Sequence, residues 1–301
     1  MSELTWGYMM AGYLFLGGLA GGAYVVSALA DLFKGDDYEV LSKSGCLVTL
    51  FSVVIGIVLL LLDLKRFEVA PLGILNAYRR FPASMVSVGT WVLTGLAIVS
   101  LVTCVLWYLG GNWLVRKIVD VVGIVLGLST AAYTGILLSY ARGVPFWSSP
   151  FLPWTFVISG TLTGLTMALL MIPVAAIFMP KAFQSFMILY ERKGQFTEML
   201  THTQKYVTIL IITELALVVL ELATGHGAVD LLLTGTLSWT FYAYLLLGLL
   251  IPLGISYYIS KLRTSGKDGY VVLFSTSSYV LILVGGFLLR YVILTAGQIF
   301  H

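Results

Sequence analysis

Arg290 interrupts GGFLLRYVILTAGQ (285–298), a stretch otherwise apolar enough to lie in lipid. Asp31, Asp63, Glu214 and Glu221 stand inside similar apolar runs. A guanidinium near the centre of a membrane helix costs about 2.5–3.5 kcal/mol on insertion scales, so something within the protein must compensate it, and that is usually an acid. Carboxyls in such a place can also move protons, because a carboxylate within reach of a reacting group acts as a general base. Glu214 and Glu221 are seven residues apart, two helical turns on one face, which suits a short proton relay. Asp63, Glu221 and Arg290 fall near the same ends of their helices, with Glu214 deeper. Asp31 falls near the opposite end and is expected to be solvated. The bland reading is a buried ion pair that braces the bundle. The functional reading is a polar pocket reached from the lipid, with a proton exit at one surface.

The residue types missing from these runs narrow the chemistry. Membrane haem b needs axial ligands within the bundle, and the histidines, His202, His226 and His301, all fall outside the expected spans. The cysteines, Cys46 and Cys104, sit in apolar runs and read as small packing residues, not as metal ligands. No lysine stands mid-span for a Schiff base. The chain is therefore expected to hold no haem, iron–sulfur cluster or other metal. If electrons pass through it, a diffusible organic carrier brings them and a partner takes them.

These side chains must be positioned by helices. Of 301 residues, 59% are hydrophobic and 10% charged, and the mean hydropathy is +0.99. In hydrocarbon only helices or closed barrels satisfy the backbone, and long apolar runs without strict alternation select helices. The expected fold is all-α and integral to the membrane. Its eight transmembrane helices lie at about 8–32, 45–64, 84–109, 118–140, 154–179, 206–223, 237–260 and 271–297. The first run, following MSELTWGYMM, is read as a retained span. Lys and Arg are more than twice as numerous in the loops away from the termini, which places both termini on the extracytoplasmic side. The tryptophans fall near span ends, as an aromatic belt would place them. FQSFMILY (183–190) carries Phe183, Phe186, Met187 and Tyr190 at helical spacing and reads as an interfacial helix.

A faint repeat divides the chain. Gly18 and Gly22 in the first span match Gly160 and Gly164 in the fifth, spacing that permits close helix approach. LLLLDL closes the second span at Asp63, and LVVLEL carries Glu221 in the sixth. Residues 1–140 and 141–301 would then form two four-helix bundles.

Five stretches, in order, resemble the NrfD-like membrane subunits that include the polysulfide reductase anchor. They are GYLFLGGLAGGAY in the first span, LLLLDLKRF closing the second, FPASMVSVGTW opening the third, AAYTGILLSYARGVPFW in the fourth and LLRYVILTAGQ in the eighth. They span residues 12–298, nearly the whole chain. The resemblance implies a subunit of a bacterial cytoplasmic membrane that meets menaquinone or another lipid quinone near the outer face. It implies electron transfer to an extrinsic ferredoxin-like iron–sulfur subunit, itself attached to a molybdopterin catalytic subunit. Nucleic acid has no place in such an assembly.

Residue by residue, Tyr133 in AAYTG resembles the family's fourth-span tyrosine at the quinone headgroup, and Arg290 the recurring arginine before AGQ. The family's histidine and asparagine near the start of the first span align with Tyr13 and Met9. Tyr13 can still donate a hydrogen bond; Met9 cannot. The expected quinone-binding residues are Tyr13, Tyr133 and Arg290. The expected proton acceptors are Asp63 and Glu221, with Glu214 behind them. Loops 65–80 and 139–154, with Arg79, Arg80, Arg142, Phe146 and Trp147, are expected to dock the iron–sulfur partner. Two rival readings remain. Pro173, Gly248, Pro252 and Gly254 interrupt the fifth and seventh spans as in secondary transporters, and a plain anchor would hold a partner without redox work.

Overall fold

The computed structural model describes residues 7–34, 38–63, 78–79, 81–140, 145–186, 195–224, 228–262 and 268–299. Among these residues there is no strand, and eight helices are long and apolar enough to cross a membrane by length and composition. The first five spans are α1 (Tyr8–Lys34), α2 (Glu39–Asp63), α3 (Met85–Tyr108), α4 (Trp113–Ser139) and α5 (Leu152–Phe178). The sixth is α6 (Gln195–Thr224), followed by a short α7 (Ala228–Leu233). The seventh comprises α8 (Ser238–Ala243), a π-helical stretch (Tyr244–Leu250) and α9 (Ile251–Leu262), and the eighth is α10 (Asp268–Ile299).

Two spans begin well before their expected positions, α2 at Glu39 rather than 45 and α6 at Gln195 rather than 206. Hydropathy marks only the segment that must sit in hydrocarbon. A helix continues past it while its backbone bonds are kept and one face still packs, as Met199 and Leu200 do, both buried. The turn from α3 to α4 is local chemistry. Gly110 adopts φ 75, which suits a residue without Cβ, and the Asn112 side chain caps α4 by accepting from the Leu114 amide at 2.8 Å.

α1 and α5 are the innermost helices. α1 packs against α2, α4 and α5, and α5 packs in turn against α2, α4, α6 and α10. The two meet through the glycines that the sequence pattern singled out. A Cβ at Gly22 would stand 2.1 Å from the carbonyl oxygen of Gly160, and one at Gly164 would stand 2.2 Å from the amide nitrogen of Ala23. Backbone therefore lies on backbone, the contact that small residues four apart allow. Residues 1–140 and 141–301 approach most closely along this crossing. Two flanking contacts correspond across it: Gly21 of α1 abuts Gly127 of α4, and Thr163 of α5 abuts Gly286 of α10.

The irregular seventh span has a local cause. Pro252 lacks an amide hydrogen and crowds the carbonyl four residues earlier, and the π-helical stretch ends just before it. Gly248 in that stretch lies against Gly285 of α10, where a Cβ on Gly285 would stand 2.2 Å from the Gly248 Cα. The break is filled by a helix crossing there. The expected interfacial helix at 183–190 is replaced, over its described part, by core packing. Phe183 and Phe186 are buried, their rings 6.5 Å from Tyr108 and 5.2 Å from Phe196 respectively. Met187 and Tyr190 lie outside the described residues.

The crossing makes a sharp prediction. Gly22→Leu drives a branched side chain into the Gly160 carbonyl, and overpacking of that kind costs about 1–3 kcal/mol or more. Its yield of monodisperse protein and its thermal midpoint in detergent should both fall. Gly254→Ala, where a Cβ meets nothing within 4 Å, should leave both unchanged.

Candidate functional site

Arg290 does not reach for the surface. It is completely buried, and Nη1 donates to Ser159 Oγ of α5 at 2.6 Å and to the Gly286 carbonyl at 2.9 Å. The guanidinium carbon lies 5.2 Å from the Phe156 ring centroid and 5.8 Å from that of Phe15. Gly18 of α1 leaves the space for Nη2, since a Cβ there would stand 2.8 Å from it. Nε and Nη2 have no hydrogen-bond partner. Buried donors are rarely left unmet, so this guanidinium offers two donor nitrogens to an acceptor such as a carbonyl oxygen or water.

Arg290 is not closed by a direct ion pair. Among the described residues no carboxylate lies within 4.0 Å of it. Glu214, 1% exposed, is the acid that interacts with it electrostatically, and Glu214 also interacts with Ser159. Glu214 Oε1 accepts from the Tyr244 hydroxyl at 3.0 Å, while Oε2 has no partner. Ser159 thus stands between cation and acid. Tyr244 opens the π-helical stretch of the seventh span, an irregularity that often aims a side chain at a functional site.

Tyr13 and Tyr133 come together elsewhere. Both are buried, and their phenols interact with one another. Gly89 of α3 makes room for the Tyr133 ring, because a Cβ there would stand 1.9 Å from its Cζ. Tyr13 and Gly18 are five residues apart on α1, about 140° around the helix. The phenol pair and the guanidinium therefore occupy different sides of the same half of α1. The expected binding residues form two neighbouring polar spots, not one cluster.

Glu221 lies a third way round. It is buried, with Oε1 unpartnered, beside a cavity of about 20 Å³. Thr155, Val218, Phe241, Leu289 and Val292 complete much of the lining. That volume suits a single water. Asp63 is the last residue of α2, and its side chain lies outside the described residues.

Of the expected docking residues, Arg79 is exposed, and Arg80 and Arg142 lie outside the described residues. Phe146 and Trp147, the aromatic pair of that set, are both buried. They lie in a 3-10 turn (Pro145–Ser148) and are 4% and 3% exposed. Trp147 Nε1 donates to the Ile293 carbonyl of α10 at 2.9 Å, and Gly297 clears space for its ring. Both side chains pack the turn onto the bundle.

At the opposite end of α1 the expectation for Asp31 is corrected. Asp31 is not solvated: it is 2% exposed and accepts from Arg116 Nε at 2.6 Å and Nη2 at 2.9 Å. Asp120, which sequence reasoning passed over, is 1% exposed. Its spacing of four from Arg116 reads as an ordinary helix-surface pair, and only the closeness of α1 to α4 turns it inward. Cys46 and Cys104 are buried free thiols with sulfurs 3.0 Å apart. Among the described residues no cluster of three or more His, Cys, Asp or Glu stands ready for a metal. Ser159 and Tyr244 were also missed; Ser159 falls in the SGTLTG repeat segment, which pointed to packing.

Comparison with known proteins supplies a family. The model of the family described as "Polysulphide reductase, NrfD" matches residues 1–301. The protein is 25% identical to the C chain of polysulfide reductase from Wolinella succinogenes, with 99% of its own length and 96% of that relative covered. It is 27% identical to the NrfD homolog of Haemophilus influenzae, covering 99% and 95%. Against protein NrfD of Escherichia coli the figures are 25%, 99% and 96%.

The loop geometry is open to test by unfolding in detergent. Trp147→Ala removes a buried indole and its hydrogen bond, and should lower stability by about 3–5 kcal/mol. Arg79→Ala, at an exposed position, should stay within about 0.5 kcal/mol of the parent.

Proposed function

Because this chain belongs to the NrfD family of polysulfide reductase membrane subunits, we propose that it is the quinol-oxidising anchor of a multi-subunit oxidoreductase. It is a multi-pass membrane protein, built of two four-helix bundles, 1–140 and 141–301, with both termini on the extracytoplasmic side in this reading. The quinone is menaquinone or a related lipid quinone. Its partners are a ferredoxin-like iron–sulfur subunit and a molybdopterin catalytic subunit.

The observation that carries this reading is Arg290: fully buried, two donor nitrogens unmet, and separated from Glu214 by one serine hydroxyl. A purely structural cation would be closed by its acid. Unmet donors beside unmet carboxylate oxygens suit a ligand that brings an acceptor and gives up protons. The quinol supplies two electrons and two protons when bound. Phenols of Tyr13 and Tyr133 are placed to hydrogen-bond a ring oxygen, and the Gly89 recess fixes the Tyr133 ring. Glu214 and Glu221 offer free oxygens two turns apart for proton removal, with the small cavity at Glu221 able to seat a water. Asp63 serves the same role where α2 ends. Arg290 holds Glu214 ionised or steadies negative charge developing on a bound oxygen. The transporter reading loses ground because the irregular seventh span is packed glycine to glycine against α10.

Two substitutions test the proposal in the assembled complex, with assembly followed separately by size-exclusion. Tyr133→Phe removes one hydrogen bond, worth about 1 kcal/mol, and should weaken quinol-analogue binding several-fold. Arg290→Ala should abolish most quinol oxidation. Unchanged turnover in both variants would remove the site. Absence of any quinol-analogue binding to the parent protein would leave a plain anchor.

A further inference from the structure

The buried carboxyls at the far end of α1 do not balance. Asp31 has both oxygens engaged by Arg116, whose guanidinium lies 3.6 Å above the Trp107 ring. Asp120, one turn beyond Arg116 on α4, interacts with Asp31 and with the Tyr24 hydroxyl, yet its Oδ2 has no hydrogen-bond partner. The Tyr24 hydroxyl is itself paired with Thr103 Oγ1 at 2.6 Å. Gly123 lets the Tyr24 ring approach α4, since a Cβ there would stand 2.0 Å from it.

Among the described residues, the other charged or titratable groups near the pair leave the sum unchanged. α2 contributes Cys46 and α3 contributes Cys104, both thiols. Lys43 is engaged by Glu39 and by the Ala182 carbonyl. Lys117 lies over Trp113, 5.3 Å from the ring centroid. Among the described residues, two buried carboxyls therefore share one guanidinium. Carboxylates in contact within a low-dielectric interior repel strongly, and such pairs hold one proton between them. A metal ion is the weaker alternative, because Asp31 already faces the Arg116 cation and, among the described residues, no third His, Cys, Asp or Glu joins the pair.

We propose that Asp31 and Asp120 share a single exchangeable proton, held between their carboxyls at the end of α1 and α4 remote from Tyr13 and Tyr133. Asp120 carries it and donates to Asp31, which keeps its bidentate grip on Arg116. The aqueous phase reaches the pair past Arg116, whose side chain is 17% exposed. This site is independent of the quinol reading, since it needs neither a quinone nor a partner subunit.

Infrared spectroscopy of the purified full chain tests it directly. Asp120→Asn keeps the shape and an N–H donor to Asp31, so the protein should fold. It should lose one carbonyl-stretch component of a protonated carboxylic acid. In the parent, that component should shift in deuterium oxide within the time of buffer exchange. Asp31→Asn should remove or displace the same component if Asp120→Asn proves unstable, while Glu214→Gln should leave it in place. Persistence of the component in both aspartate variants overturns the proposal. So does its absence from the parent, or its disappearance when sodium chloride replaces choline chloride, which would put a cation in the proton's place.

Discussion

Backbone contact between α1 and α5 sets the spacing of everything else. Gly18, Gly22, Gly160 and Gly164 bring the two helices together with no side chains between them. Lipid tails give apolar helices no hydrophobic reason to associate, so such packing has to come from shape. Once those backbones touch, α4 is drawn onto α1 at Gly21 and Gly127, and α10 onto α5 at Thr163 and Gly286. Arg290 then fits only because Gly18 offers no Cβ, and Ser159, one residue before Gly160, is already in reach of Nη1. Removing side chains at the crossing both seats the helices and makes room for the cation.

The polar groups fall into separate sets around α1. Tyr13 and Tyr133 face one another on the side of α3 and α4, with Gly89 opening space for the Tyr133 ring. Arg290, Ser159, Glu214 and Tyr244 form the second set on the side of α5, α6 and α10. Asp31, Asp120, Arg116 and Tyr24 make the third, at the other end of α1 and α4. Each set contains at least one buried polar atom that the protein does not satisfy or a phenol shared with another phenol. Satisfied networks rigidify a core, whereas unmet atoms mark places where something else is expected.

Much of this was legible in the sequence, and the exceptions have physical causes. Helix number followed from hydropathy, because lipid demands long apolar runs. Arg290, Glu214 and Glu221 stood out because charges in such runs are costly. The glycines four apart announced a crossing. Helix starts at Glu39 and Gln195 did not show, because helix hydrogen bonds continue where hydropathy falls. Asp120 hid in RKIVD, where spacing suggests a solvated pair, and only the α1–α4 contact buries it. The burial of Trp147 did not show in the sequence either. An aromatic in a Pro-rich loop resembles a surface feature until a partner carbonyl, here on Ile293, is known. Ser159 and Tyr244 carry no charge and no rare pattern, so nothing one-dimensional separates them from other hydroxyls in the spans.

The indole of Trp147 also ties a short turn at the bundle's rim to the last helix. Its bond to the Ile293 carbonyl falls one turn from Arg290 along α10, and its ring fills the notch left by Gly297. The turn is thus held to α10 by a buried side chain as well as by the chain that leads to it. The 145–148 turn and the Arg290 turn of α10 therefore share one anchoring point, so a side chain at the rim and the buried cation are positioned by the same stretch of helix.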